Sequence, residues 1–152
     1  MKIGMGSDHG GFELKEYIKE QLMQEGYPVV DYGTDSLASV DYPDFGEKVA
    51  LAVAGGEVDL GIVMCGTGLG ISMTANKVRG IRAALVSEEY SARMARCHNN
   101  ANMLAMGGRV VGKDLGLSIV RAFLSSEFEG GRHERRVNRI MEIEEKNSEM
   151  EG

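Results

Sequence analysis

The segment Cys65-Gly66-Thr67-Gly68-Leu69-Gly70-Ile71-Ser72 places a thiol, two hydroxyls and three glycines within eight residues. The apolar run Leu60-Gly61-Ile62-Val63-Met64 before it reads as a buried strand. Met73-Thr74-Ala75-Asn76-Lys77 after it suits a helix. A strand, a glycine-rich turn and a helix start bring free backbone N–H groups together, which attracts anions. The same field favours negative charge on a sulfur at the head of the loop. A proton acceptor beside a row of amide donors has the equipment to make and hold an enediolate. Taken alone, the loop fits tight packing equally well, because glycine-rich strand-to-helix turns are common.

The loop departs from the common phosphate fingerprints. It lacks the terminal Lys-Ser or Lys-Thr of a P-loop. Its glycines at 66, 68 and 70 miss the dinucleotide spacing, and no acidic residue follows about twenty places on to hold a ribose. A cysteine phosphatase would close its loop with Arg, and Ile71 and Ser72 stand there instead.

Other candidates for chemistry lie beside similar signals. The three histidines occur in Asp8-His9-Gly10-Gly11, in Cys97-His98-Asn99-Asn100-Ala101-Asn102 and between Arg132 and Arg136. Singly, each suits a structural role; together, on candidate site loops, they suggest acid–base work. Asp8 and Asp41 fit either a site or a turn, and Tyr42 either binding or packing. Cys97, inside a helix beside Ala95, is expected in the core. Arg132 and Arg136 are four apart, so a helix puts them on one face. There they form either a solvated charged surface or a phosphate clamp, guanidinium groups binding phosphate bidentately. Arg109, after Gly107-Gly108, is a third such cation. An acid–base group, an amide-lined anion hole and a phosphate clamp point to a sugar phosphate.

The elements that must position these residues alternate. Strands are expected near Lys2–Gly6, Pro28–Tyr32, Asp59–Met64, Ile81–Val86 and Asn102–Met106. Helices are expected from Phe12 to Gly26, from Pro43 to Gly55, after the central loop, from an Ser87 N-cap to about His98, and from Gly112 to Phe123. Such alternation predicts an α/β fold, a three-layer α/β/α sandwich around a five-stranded, mainly parallel, Rossmann-like sheet. Ligands gather outside the carboxyl ends of such strands. Asp8-His9, Asp41-Tyr42 and Cys65–Ser72 are expected there, and His98-Asn99 is placed with them although it follows a helix. Residues 131–146 form a C-terminal arm or helix, and 147–152 are expected to fray.

Length bounds the chain at one domain, 1–152, with a proper core. A net charge of −6 argues against nucleic-acid partners. No apolar stretch approaches the ~20 residues of a membrane span, and Met1-Lys2 opens no signal-peptide core. Two cysteines without close spacing imply reduced thiols in the cytoplasm. With no CxxC or HxxxH pairing, no metal site is expected.

Asp8-His9-Gly10-Gly11, Asp41-Tyr42-Pro43, Cys65 to Ser72, His98-Asn99-Asn100-Ala101-Asn102 and Gly131-Arg132-His133 together resemble the ribose-5-phosphate isomerase B family. The resemblance runs from Met1 to about Lys146. Galactose-6-phosphate isomerase subunits and allose-6-phosphate isomerases are close relatives of that family. It implies an aldose–ketose isomerase acting on ribose 5-phosphate and ribulose 5-phosphate without metal or organic cofactor. Cys65 would be the base, with Thr67 assisting and the amides of Gly66, Gly68 and Gly70 holding the enediolate oxygen. His98, helped by Asp8, would open the furanose ring. His9, Arg109, Arg132 and Arg136 would bind phosphate, and Tyr42 and Asn99 the sugar. Some members replace the cysteine base by a Glu where this chain has Ile71, so this chain is of the cysteine type. Gly10-Gly11 and the acidic tail after Lys146 depart from the family pattern without removing a site residue. The resemblance further implies homodimers or homotetramers whose sites take His98, Asn99 and Arg109 from the subunit opposite Cys65. A hexose-6-phosphate isomerase and a non-catalytic sugar-phosphate sensor remain as alternatives, although binding alone does not require Cys65.

Overall fold

The computed structural model describes residues 1–149; the last part of the stretch expected to fray, 150–152, lies outside the described residues. Its elements are β1 (Ile3–Ser7), α1 (Phe12–Gln24), β2 (Val29–Asp31), α2 (Tyr42–Ala54), β3 (Leu60–Cys65) and α3 (Leu69–Ala75). They continue with β4 (Ala83–Leu85), α4 (Glu89–Cys97), β5 (Met103–Gly107), α5 (Lys113–Leu124) and α6 (Arg132–Glu149). The five strands form one sheet in the order β2-β1-β3-β5-β4. Every pairing is parallel, so the sheet is wholly rather than mainly so.

The apolar alternation within the strands explains the two helical layers. Ile3, Met5, Ile62, Met64, Leu104 and Met106 face one way, onto Leu14 and Ile18 of α1, Ala92 of α4 and Phe123 of α5. Val63, Met103 and Ala105 face the other way, onto Val49 and Val53 of α2 and Ile71 of α3. Both faces are covered, as a sheet built of βαβ crossovers requires. The chain leaves β1 toward one edge and returns through β3 to the other side of β1, so the strand order reverses between β1 and β3. The carboxyl ends of those two strands flank the crevice where such sheets bind ligands.

Several boundaries differ from the sequence expectation for local reasons. The cap of α4 is Glu88, not Ser87: its carboxylate accepts from the Ser91 amide at 3.0 Å. These hydrogen bonds hold the Glu88 carboxyl below its ordinary range. Asn102 precedes β5 because its side chain is spent as a clamp, accepting from the Arg82 amide at 2.8 Å and donating to the Gly80 carbonyl at 2.9 Å. Cys97 ends α4 half-buried rather than in the core. The C-terminal helix runs to Glu149, three residues past the expected arm. Among the described side chains of α6 only Val137 is buried; Ile140 and Ile143 stay about half exposed. The far end of α6 is tied by polar contacts, Arg79 to Glu145 and the Gly80 amide to Glu144.

A buried cation organises the end of β2. Lys15 of α1 has no exposed surface, and its ammonium donates to Asp31 at 2.7 Å and to the Thr34 carbonyl at 2.7 Å. Burial alone would raise the Asp31 carboxyl, yet hydrogen bonds from Lys15 and Lys19 outweigh it and hold the group below its usual range. The pair anchors the start of the loop from Gly33 to Asp41, which reaches the candidate site. Replacing Asp31 by Asn leaves a fully buried ammonium short of its main counter-charge. Asp31 keeps part of its side chain in solvent and Glu16 lies 3.2 Å from the ammonium, so Asp31→Asn is expected to lose about 2 kcal/mol, the worth of a hydrogen bond to a charged group, read as a lowered urea midpoint at unchanged slope.

Candidate active site

Cys65 is the last residue of β3, 4% exposed, in the middle of the sheet. Its Sγ accepts a hydrogen bond from the Gly68 amide at 3.2 Å. Gly68 adopts the left-handed conformation, with φ 84°, which turns the chain sharply enough for that amide to look back at the sulfur. The Thr67 hydroxyl accepts from the Leu69 amide at 3.2 Å, and Ser72 closes the first turn of α3 by donating its amide to the Gly68 carbonyl. Among the described residues, the amides of Gly70 and Ile71 meet no acceptor, as expected in the first turn of a helix. The anion hole expected from Gly66, Gly68 and Gly70 is therefore divided: the Gly68 N–H serves the sulfur, and the Gly70 N–H stays unspent.

Two neighbouring turns press on this loop through bare backbone. The buried Asp8 carboxylate accepts from the amides of Gly10 and Gly11 at 2.9 and 3.2 Å, folding the turn after β1 onto itself. A Cβ at Gly10 would lie 3.0 Å from the Gly66 nitrogen, and one at Gly107 would lie 2.6 Å from the Thr67 backbone. The Arg109 amide donates to the Gly66 carbonyl at 3.0 Å, and a Cβ at Gly66 would lie 3.0 Å from the Arg109 guanidinium. Arg109 thus belongs beside Cys65 of its own chain, a correction to its expected place opposite. Tyr42, the first residue of α2, lies across Gly70, where any Cβ would fall 2.3 Å from its ring. His9 accepts at Nδ1 from the Val40 amide, 3.2 Å away. A neutral His9 then carries its proton on Nε2, free to donate to an anion. Nothing in the local sequence announced Val40, which reaches His9 only through the loop fixed by Lys15 and Asp31.

His98 and Asn99 are elsewhere, and here the expected common end of the sheet is overturned. A helix that follows a parallel strand runs back antiparallel to it, so its terminus reaches the amino end of the next strand. His98 caps α4 and leads into β5, whose first residue pairs with Gly61 and whose last pairs with Cys65. Four residue steps, about 13 Å along the strand, separate the two levels. His98 stacks on His133, with ring centroids 4.0 Å apart and planes 8° from parallel. Burial, then the positive neighbours His98, Arg132 and Arg136, push the His133 imidazole below its ordinary value against the pull of Glu129. Arg132 and Arg136 lie exposed in the first turns of α6, on either side of His133. Asn99 lines a hollow of ≈ 560 Å³ with Arg82, Ala84, Ile140 and Ile143.

One chain therefore holds two separate clusters of candidate residues. A thiol, amide donors, His9, Tyr42 and Arg109 gather at the carboxyl ends of the strands. An imidazole pair, Asn99 and two guanidinium groups gather at the amino ends.

The comparisons with known proteins agree with one another. A family model described as Ribose/Galactose Isomerase matches residues 3–140. Ribose-5-phosphate isomerase B of Escherichia coli is 54% identical, the match covering 95% of this chain and 97% of that one. The solved ribose-5-phosphate isomerase B of Clostridium thermocellum superposes with a TM-score of 0.96 at 62% identity, over 97% of this chain and 99% of that one. That of Mycoplasma genitalium, solved with bound ribulose 5-phosphate, superposes at 0.90 with 46% identity, covering 95% and 96%.

Proposed function

The chain belongs to the ribose/galactose isomerase family, and from that membership we infer that it interconverts ribose 5-phosphate and ribulose 5-phosphate. The observation that carries the chemistry is the Cys65 sulfur, shielded from water at a sheet end and met by the Gly68 amide. In the open-chain aldose, the Cys65 thiolate takes the proton from C2 as electrons move into the C1 carbonyl. The enediolate forms, the oxygen protons exchange, and the thiol returns its proton to C1 to give the ketose. The reaction is redox-neutral within one sugar. Amides left unspent at the start of α3 stabilise the oxyanion only as its charge develops, which is where they lower the barrier. Thr67 and Tyr42 border that position.

Ring opening and phosphate binding fall to the other groups. His98 moves a proton to the furanose oxygen, with Asp8 on the facing turn. His9 and Arg109 on one side, and Arg132 and Arg136 on the other, hold the phosphate, and Asn99 contacts the sugar. Since one chain keeps these sets at opposite ends of its sheet, a complete site combines Cys65 of one subunit with His98 and Asn99 of the partner subunit in a two-fold dimer. The uncovered apolar face of α6, with Ile140 and Ile143, supports such an association.

Purified protein assayed on ribose 5-phosphate, allose 6-phosphate and galactose 6-phosphate is expected to show its highest kcat/KM on the pentose. A hexose phosphate turned over faster overturns the substrate assignment. Tight binding of all three with no turnover identifies a sensor instead.

A further inference from the structure

We propose that His98, Glu129 and His133 form a binding site for a zinc-class divalent cation, which inhibits the enzyme by occupying the ring-opening imidazole. The inhibitory half of this rests on the role assigned to His98 above; the site itself rests on geometry alone.

One ligand atom from each of the three residues lies within 4.8 Å of the others. The Nε2 atoms of both imidazoles stand 3.6 Å from the same Glu129 oxygen. That is too long for a hydrogen bond, so these contacts do not spend the donor atoms on one another. It is close to the edge of a tetrahedron with metal–nitrogen bonds of 2.0–2.1 Å, about 3.3 Å. Because the two rings are stacked and nearly parallel, sharing one ion requires them to unstack and turn their Nε2 edges toward a common point. The backbone is already pinned: the Glu129 amide donates to the Cys97 carbonyl at 3.0 Å, next to His98, and the His133 amide to the Gly130 carbonyl at 3.1 Å. Glu129 and His133 are four residues apart, whereas His98 arrives through the fold, which is why sequence spacing gave no sign of a metal site.

The donor set selects the cation. Two imidazoles and one carboxylate suit zinc and its transition-metal neighbours, while calcium and magnesium require several oxygens. Arg132 and Arg136 beside the cluster disfavour cations held by charge alone, which strengthens that choice. Three protein ligands leave a fourth position open to water or to a substrate oxygen. A His98 nitrogen bound to the metal has no lone pair with which to move a proton at the furanose oxygen.

The test uses the full chain freed of metal with a chelator. Calorimetric titration with zinc chloride is expected to show one ion per chain, with calcium chloride giving no heat of binding. Glu129→Gln and His133→Ala are each expected to weaken zinc by at least about tenfold, a loss that even outer-shell partners produce. Zinc is expected to inhibit the wild type reversibly, and Glu129→Gln to keep its metal-free activity while resisting zinc. Zinc affinity unchanged in both variants overturns the site and moves the ion elsewhere, Cys65 first among the alternatives. Zinc bound through Glu129 and His133 without inhibition upholds the site and overturns the inhibitory role, while isomerase activity in metal-free buffer bears separately on the function itself.

Discussion

Cys65→Ala is expected to lower kcat on ribose 5-phosphate by about two to four orders of magnitude, the usual contribution of a positioned general base. Affinity for the substrate should change little. Cys65 is almost fully buried, and the one described polar partner of its sulfur is the Gly68 amide, a setting that suits the proposed proton transfer and offers phosphate no charge. Single-turnover kinetics and a binding titration separate the two quantities. A variant that keeps most of its activity removes the thiol from the base role. Alkylation offers a second check, with substrate slowing inactivation by iodoacetamide. Because Cys97 is half-buried rather than in the core, that experiment belongs in a Cys97→Ala background.

The second large effect is a gain. Cys65→Ala and His98→Ala proteins are each expected to be nearly inactive, and a mixture unfolded and refolded together is expected to recover activity. In a mixed dimer with shared sites, one site collects both substitutions and the other collects neither. Random pairing makes about half of the dimers mixed, so roughly a quarter of all sites become whole on two-fold geometry. If each chain built its own site, every site would keep one defect. A mixture that stays inactive after mass spectrometry has shown heterodimers rules out sharing. The two residues are suited to the test because one chain keeps them apart, Cys65 level with the last residue of β5 and His98 in the segment that leads into its first.

The sequence made much of this architecture legible. Apolar runs and glycine breaks located all five strands, and Cys65 to Ser72 stood out because a thiol and three glycines fell between a strand and a helix. What escaped was long-range. The direction of α4 decides where His98 lies, and that follows from handed crossovers rather than from residue types around His98. The Glu88 cap competed with a better-looking Ser87, whose preference is only statistical. Val40 reaches His9, and Glu129 reaches His98, across 31 residues each, and neither is flagged by its neighbours. Nothing in the residues around Lys15 marks it for burial, and only the fold supplies the carboxylate that allows it.

The contacts between the turns after β1, β3 and β5 bear on how this family can diversify. Gly10 meets Gly66, Gly107 meets Thr67 and Gly108 meets the Gly10 carbonyl, with a built Cβ at each falling 2.5–3.0 Å from a neighbouring backbone. No side chain stands between these turns to be trimmed or enlarged. Drift at any one of these glycines must wait for a backbone shift in another, so the proton-transfer floor of the site is held fixed as a unit. Tyr42 and Arg109 reach this floor from its edge with exposed side chains, so changes there meet side chains rather than the packed backbone. Selection for a longer or shorter sugar can therefore act at the rim of the site without disturbing the chemistry beneath it.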